Sequence, residues 1–182
     1  LMHGLMATFN AWCNRAPIIM MGATGPIDAS IRRPWIDWIH TSKDQGAMLR
    51  DYTKWDDEPR SAGAIVESML RANQMARSEP PGPVYVCLDA GLQESALEEE
   101  IKIPDVSRFQ PSEPPRASGD NVKEVVDMLL GAANPVIMIG RSGRSQEAWD
   151  NRIKLAEAVG AGVFTNLRNA AVFPSDHLLH VG

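Results

Sequence analysis

The 182 residues predict an α/β protein of two units, each a parallel sheet between helical layers. Three observations carry that prediction. Residues 18–21, 83–88 and 136–139 are short runs that are apolar almost throughout, as fits parallel strands covered on both faces. Stretches between and after these runs repeat apolar residues at spacings of three and four, the period of a helix with one buried face. Residues 93–119 break both periods with an acidic run and four prolines, Pro104, Pro111, Pro114 and Pro115, which reads as an extended linker between two units.

In chain order, residues 4–14 form a helix with Leu5, Met6, Phe9, Trp12 and Cys13 on one face. Arg15 and Ala16 turn the chain and Pro17 opens the first strand, 18–21, which stops at Gly22. The loop from Ala23 to Asp28 therefore leaves the carboxyl end of a parallel strand, where open α/β sheets bind ligands. The next thirty residues gather Trp35, Trp38 and Trp55 with Arg32, Arg33, Asp37, His40, Lys43, Asp44, Tyr52 and Lys54. Residues 29–41 fit a short helix capped by Asp28, with Pro34 in its first turns. Two readings stand for this excursion: a surface segment whose aromatics pack on the domain, or a pocket wall in which Trp and Arg enclose an anionic or aromatic ligand. Residues 61–76 are the clearest helix of the first half, with Ala64, Ile65, Met69, Leu70, Ala72, Met75 and Ala76 on its apolar stripe. Pro83 then enters the second strand, 83–88, and the right-handed crossover rule makes it parallel to the first.

Within 93–119 the acidic run Glu94, Glu98, Glu99 and Glu100 reads as a solvated face and not as a metal site. The second unit opens with a helix over 121–133, capped by Asp120 or Asn121, with Val122, Val125, Val126, Leu129 and Leu130 on its apolar side. A buried strand, 136–139, follows. The loop Gly140, Arg141, Ser142, Gly143, Arg144 opens a helix over 146–159, and 162–165 is the next parallel strand. Helix, strand, glycine loop, helix, strand is a Rossmann-like order. The loop can present backbone N–H groups and two guanidinium groups to a phosphate, with Arg141, Ser142 and Arg144 as the candidate contacts. It lacks the third glycine of the dinucleotide fingerprint, and no acidic residue closes the following strand, so a tight turn with surface arginines is the competing reading.

Composition narrows the partners. A net charge of −5 and an isoelectric point near 5.4 leave no basic stripe to neutralise phosphates, which argues against nucleic acid. No apolar run approaches the length of about 20 residues that spans a bilayer, and residues 1–6 lack a charged signal-peptide start, so no membrane partner is expected and the cytoplasm is the default compartment. Cys13 and Cys87 read as buried, reduced hydrophobes. His177 and His180 follow Pro174 in a loop, and no metal-ligand spacing is present.

The run GLMATFNAWCNRAPIIMMGATGP, followed by RPWIDWIHT and GPVYVCLD, resembles the pyrimidine-binding domain of thiamine-diphosphate-dependent enzymes of the acetolactate synthase and benzoylformate decarboxylase group. NPVIMIGRSGR, LAEAVGAGVFTN and FPSDHLLHVG resemble the central domain of the same group. The resemblance covers nearly the whole chain and implies residues 1–92 as the latter part of the first domain, 93–119 as linker and 120–182 as the start of the central one. Both α/β units would then be truncated, and the chain an internal fragment. It implies thiamine diphosphate and Mg²⁺ as cofactors of the parent enzyme, with FAD or ADP in the central domain less favoured. Gly22, Ala23, Thr24, Gly25 and Pro26 would face the cofactor, and Asp28, Arg33, Trp35 and Trp38 the substrate. Ala23 stands where relatives commonly carry a glutamine.

The group's cofactor glutamate would lie before residue 1, and its GDG motif for diphosphate and Mg²⁺ is absent from this sequence, so the resemblance assigns no catalytic and no metal-ligating residue here. The implied reaction is decarboxylation or carboligation of a small 2-oxo acid by a homo-oligomer, dimer or tetramer, with the fragment inactive alone. A different class also accommodates the pattern, a non-catalytic nucleotide-sensing or interaction module of α/β fold.

Overall fold

In the computed structural model, which describes residues 1–167, 169 and 171–182, helix α1 (Leu5–Cys13) runs through a turn into strand β1 (Ile19–Thr24). The turn is made by Arg15, whose φ of 50° is left-handed. After a long excursion containing the short helix α2 (Asp37–His40) come strand β2 (Asp56–Asp57), helix α3 (Ala62–Arg77), strand β3 (Val84–Asp89) and helix α4 (Ala90–Glu94). These lie in one compact unit, Leu1–Pro114. The other, Pro115–Gly182, holds helix α5 (Gly119–Gly131), strand β4 (Val136–Ile139), helix α6 (Gln146–Val159) and strand β5 (Gly162–Thr165). Both sheets are parallel, in the orders β1-β3-β2 and β4-β5, as the apolar runs predict.

β3 is the centre of the first unit. Its alternate side chains serve two cores, which is why a strand apolar at every inner position is needed. On one face Val84 and Val86 meet Ala72 and Ala76 of α3, with Met69, Ile19 and Trp55 around them. Small alanines at the contact let the helix lie close on the strand. On the other face Tyr85 and Cys87 pack with Leu49, Met20 and Leu5 of α1. Each fully buried Val or Leu of this set contributes about 1.5–3 kcal/mol. Ser61 starts α3 by accepting the Ala64 N–H at 3.2 Å.

β1 departs from its expected form in two ways. It pairs with β3 from Ile19 opposite Val84 to Thr24 opposite Asp89, so Gly22, Ala23 and Thr24 are strand residues and the loop begins at Gly25. It is also an edge strand, and Ile18 and Met21 are exposed where burial on both faces is expected. α1 likewise buries only Thr8, whose hydroxyl donates to Gly4 O at 3.0 Å and lies 3.1 Å from Met20 Sδ, a weaker alternative acceptor. Phe9 stacks edge-on against Tyr52, but Met6, Phe9 and Trp12 remain largely open, and the Cys13 thiol, expected inside, is exposed. Cys87 is buried as expected.

The helix expected over 29–41 is broken. Asp28 does cap a turn, but only the three-residue one at Ala29–Ile31, because Arg32 then takes an extended conformation ahead of Arg33 and Pro34. α2 starts afresh at Asp37. Most of the proline-rich segment clusters with the first unit, where a turn at Val106–Phe109 lies along α3 and Gln74 Nε2 donates to Gln110 O at 3.0 Å.

In the second unit Ile137 and Ile139 of β4 pack with Val163, Ala156 and Phe173. Val136 and Met138 point the other way and are exposed, so β4 alternates and is not the doubly buried strand its sequence suggests. α5 is capped by Ser118, not by Asp120 or Asn121, and its apolar residues Val122, Val125, Val126 and Leu130 are exposed. Gly160 ends α6 at φ 62°, the left-handed conformation that glycine adopts without penalty. Beyond β5, Leu179 and Val181 exchange backbone hydrogen bonds with Val163, a parallel bridge onto the free side of β5.

Candidate functional site

Of the segments that leave carboxyl ends of parallel strands, one in each unit carries candidate residues of a binding site, the loop after β1 and the loop after β4. The first follows β1. Gly22 sits beneath the Tyr85 ring, and a Cβ there falls far inside van der Waals contact with the Tyr85 hydroxyl and 3.0 Å from its ring carbon. That hydroxyl donates to Gln45 Oε1 at 2.9 Å, and Gln45 Nε2 donates to Ala23 O at 2.8 Å. Burial pushes the Tyr85 hydroxyl's pKa upward, so it stays a neutral donor. Gly25 has a parallel role, since a Cβ there meets the Thr41 hydroxyl and the Asp37 main chain. Thr24, Gly25 and Pro26 are buried and Ala23 is exposed.

Asp37, 4% exposed, organises the loop from within. Its carboxylate accepts from Arg33 N at 2.7 Å and from the Arg33 guanidinium at 3.3 Å, which hold its pKa below the usual carboxylate range. Arg33 also reaches Glu94 at 3.1 Å, so its charge is matched by two carboxylates. Asp28 accepts from the Ser30 hydroxyl and amide, and these bonds lower its pKa in turn. The two charged candidates, Asp28 and Arg33, are thus engaged by the chain itself. Trp35 and Trp38 are 74% and 83% exposed and stand out from the loop as open apolar surface, not as walls of a closed cavity.

The space that Gly22 and Gly25 would offer a ligand is filled by Tyr85, Thr41 and Asp37, so the β1 end does not by itself fit a thiamine diphosphate cradle. No group of three or more His, Cys, Asp or Glu residues able to hold a metal occurs among the described residues. Two open grooves of the first unit lie elsewhere, one between α3 and Pro104–Phe109 and one between the start of α3 and the acidic run.

The second loop, Gly140 to Arg144, follows β4 and leads into α6, which Ser145 caps by accepting the Ala148 N–H at 3.1 Å. Arg141 and Arg144 are exposed and Ser142 is half-buried. The residue that fixes this loop is Arg152, which the sequence does not single out. From α6 its Nη1 donates to Gly143 O at 2.8 Å and its Nε to Val172 O at 2.7 Å, with Trp149 beside the guanidinium. Among the described residues, Arg152 Nη2 and Ser142 Oγ are buried without a hydrogen-bond partner. Unmet polar capacity of that kind is uncommon in a folded interior.

Comparison with known proteins gives this fold its class. Residues 122–182 match the family described as thiamine pyrophosphate enzyme, central domain. A 2-hydroxyacyl-CoA lyase of Arabidopsis thaliana is 24% identical over 179 residues, 96% of this chain and 30% of its own length. Glyoxylate carboligase of Escherichia coli O157:H7 is 29% identical over 136 residues, 75% of this chain and 22% of its own. The crystal structure of benzoylformate decarboxylase from Polynucleobacter necessarius superposes with a TM-score of 0.73 at 24% identity, over 96% of this chain and 32% of that one. Residues 122–182 therefore match the central-domain family of thiamine pyrophosphate enzymes, and the chain as a whole is similar to thiamine-diphosphate-dependent enzymes. It spans about a third or less of the relatives it matches. The fold class expected from sequence, α/β units with parallel sheets, stands. No helix among the described residues is long and apolar enough to cross a membrane.

Proposed function

We propose that this chain is part of a thiamine-diphosphate-dependent enzyme that cleaves or forms a carbon–carbon bond beside the carbonyl of a small 2-oxo acid, by decarboxylation or carboligation. Residues 1–92 supply the latter part of a pyrimidine-binding domain, 93–119 the linker, and 120–182 the start of the central domain. The observation that carries the reading is the order within one chain: a β1–β3 parallel unit followed by a segment that the central-domain family matches over residues 122–182. Thiamine diphosphate would supply the carbanion chemistry when bound, with its diphosphate held through Mg²⁺. The parent enzyme acts as a homo-oligomer in the cytoplasm, and the 182-residue chain alone is inactive.

Within this chain the loop after β1 serves as one wall of the site. Trp35 and Trp38 offer the open contact surface, while Asp28, hydrogen-bonded by Ser30, and Arg33, its charge matched by Asp37 and Glu94, hold the loop in shape. Gly22, Thr24, Gly25 and Pro26 support the wall from behind, and Ala23 is the position of that set open to a ligand.

A second reading is favoured by the unpartnered Ser142 Oγ and Arg152 Nη2, which would suit a nucleotide phosphate, FAD or ADP, approaching Arg141, Ser142 and Arg144. Isothermal calorimetry on the chain separates the two. We expect no heat with thiamine diphosphate and Mg²⁺, because the β1 end holds no open cradle for them. Micromolar binding of thiamine diphosphate would overturn that expectation, and micromolar binding of ADP alone would favour the nucleotide-sensing module.

A further inference from the structure

We infer that Asp89 is the positioning residue of the loop after β1, and that the corner between β3 and α4 sets where that loop stands. The inference rests on the reading of this loop as one wall of a ligand site. Asp89 ends β3 directly opposite Thr24, the last residue of β1, and is 5% exposed. Its two carboxylate oxygens have separate duties. Oδ2 accepts the Ile27 N–H at 2.5 Å, across 62 residues of sequence, and Oδ1 accepts the Leu92 N–H at 2.9 Å and caps α4. One side chain thus fixes both the loop and the helix it leans on.

The rest of the corner is built to the same end. A Cβ on Gly91 would meet Asp89 Oδ1 at 2.9 Å, Ile31 Cδ1 at 3.0 Å and Pro26 Cβ at 3.5 Å, so the bare glycine is what lets the loop seat there. Further out, Glu94 takes the Arg33 guanidinium at 3.1 Å. Loop residues 27, 31 and 33 are therefore held in sequence by corner residues 89, 91 and 94, and Trp35 follows the last of these anchors. A neutral asparagine cannot replace Asp89, because its single carbonyl oxygen accepts only one of the two N–H groups and its amide nitrogen is itself a donor.

Amide hydrogen exchange on the 182-residue chain tests this. Asp89→Asn should speed exchange in peptides covering residues 25–35 on the order of tenfold, while α3 and the β1–β3 ladder keep their protection. Unchanged exchange at 25–35, or an equal loss across the whole unit, overturns the assignment. Glu94→Gln, at an exposed position, removes only the outermost anchor and cannot unfold the unit. It should loosen 31–35 and nothing else, and no loosening there overturns the stepwise anchoring even if Asp89→Asn fails to fold. In the full-length enzyme Asp89→Asn should raise KM severalfold with kcat nearly unchanged, since the wall orients substrate and does not touch reacting atoms. A loosened loop with unaltered KM would leave the corner's role intact and sink the wall reading instead.

Discussion

The loops after β1 and β4 occupy equivalent places, each at the carboxyl end of a parallel strand, and they are held by opposite chemistry. Buried carboxylates hold the first: Asp37 and Asp89 accept main-chain N–H groups from Arg33 and Ile27. A guanidinium holds the second, with Arg152 donating to the carbonyls of Gly143 and Val172. In the first loop the polar groups close on one another, the added cation of Arg33 is matched by Asp37 and Glu94, and what is left open is apolar. In the second, Ser142 Oγ and Arg152 Nη2 are left unmet by any described residue. One strand end thus offers shape and aromatic surface, and the other offers hydrogen-bonding capacity.

The largest expected effect tests how completely the first strand end is filled. Gly22→Ala drives a methyl into the Tyr85 hydroxyl, and Tyr85 is fully buried between Leu49, Cys87 and α1 with nowhere to retreat. We expect a loss of about 1–3 kcal/mol in denaturant unfolding. Tyr85→Phe in the same chain removes the nearest atom but leaves ring carbons at 3.0 and 3.1 Å, so the double variant should recover part of the loss and not all of it. A Gly22→Ala chain as stable as the parent would mean that the space beneath Tyr85 is open, and a ligand cradle there would become admissible again.

The two strands also mark what a sequence discloses. Residues 18–21 and 83–88 are equally apolar, and both read as interior, but only β3 is central. Strand order decides that, and no local pattern encodes it. The same limit applies to β4 and α5, whose apolar stripes are legible while the elements that would cover them are not. Asp28 is recognisable as a cap, and the turn it caps forms, but Arg32, extended just ahead of Arg33 and Pro34, ends it after one turn. Asp89 at the end of a strand could be read as the cap of α4. Its second bond, to Ile27, depends on the β1–β3 register and lies beyond any local signal. Arg152 gives no signal at all, since an arginine within an exposed helix is ordinarily solvated.

The second loop gives a smaller and more local effect. Arg152→Met keeps the aliphatic stem against Trp149 but leaves the carbonyls of Gly143 and Val172 without their donor. A loss of about 1–2 kcal/mol confined to the second unit is expected, read by amide exchange in α6 and residues 140–145. Arg152→Lys should recover less than half of it, because a single ammonium cannot span two carbonyls that the guanidinium fork reaches at once. Equal exchange in all three chains would show that the loop holds its shape without Arg152, and the contrast between the two strand ends would reduce to their first loop.

The smallest effect is the most informative about that first loop. Trp35→Ala and Trp38→Ala remove large side chains that are 74% and 83% exposed, so each should change unfolding free energy by less than about 0.5 kcal/mol. Burial of a large aromatic in a core would instead make the same truncation cost about 3–5 kcal/mol. A near-neutral result places the two tryptophans outside the folding energetics of the unit and leaves recognition as the reason for aromatic surface held so firmly by Asp37 and Asp89. A loss above about 2 kcal/mol would mean that the rings are buried in solution, and the loop would then be a packed excursion with no open face to offer a ligand.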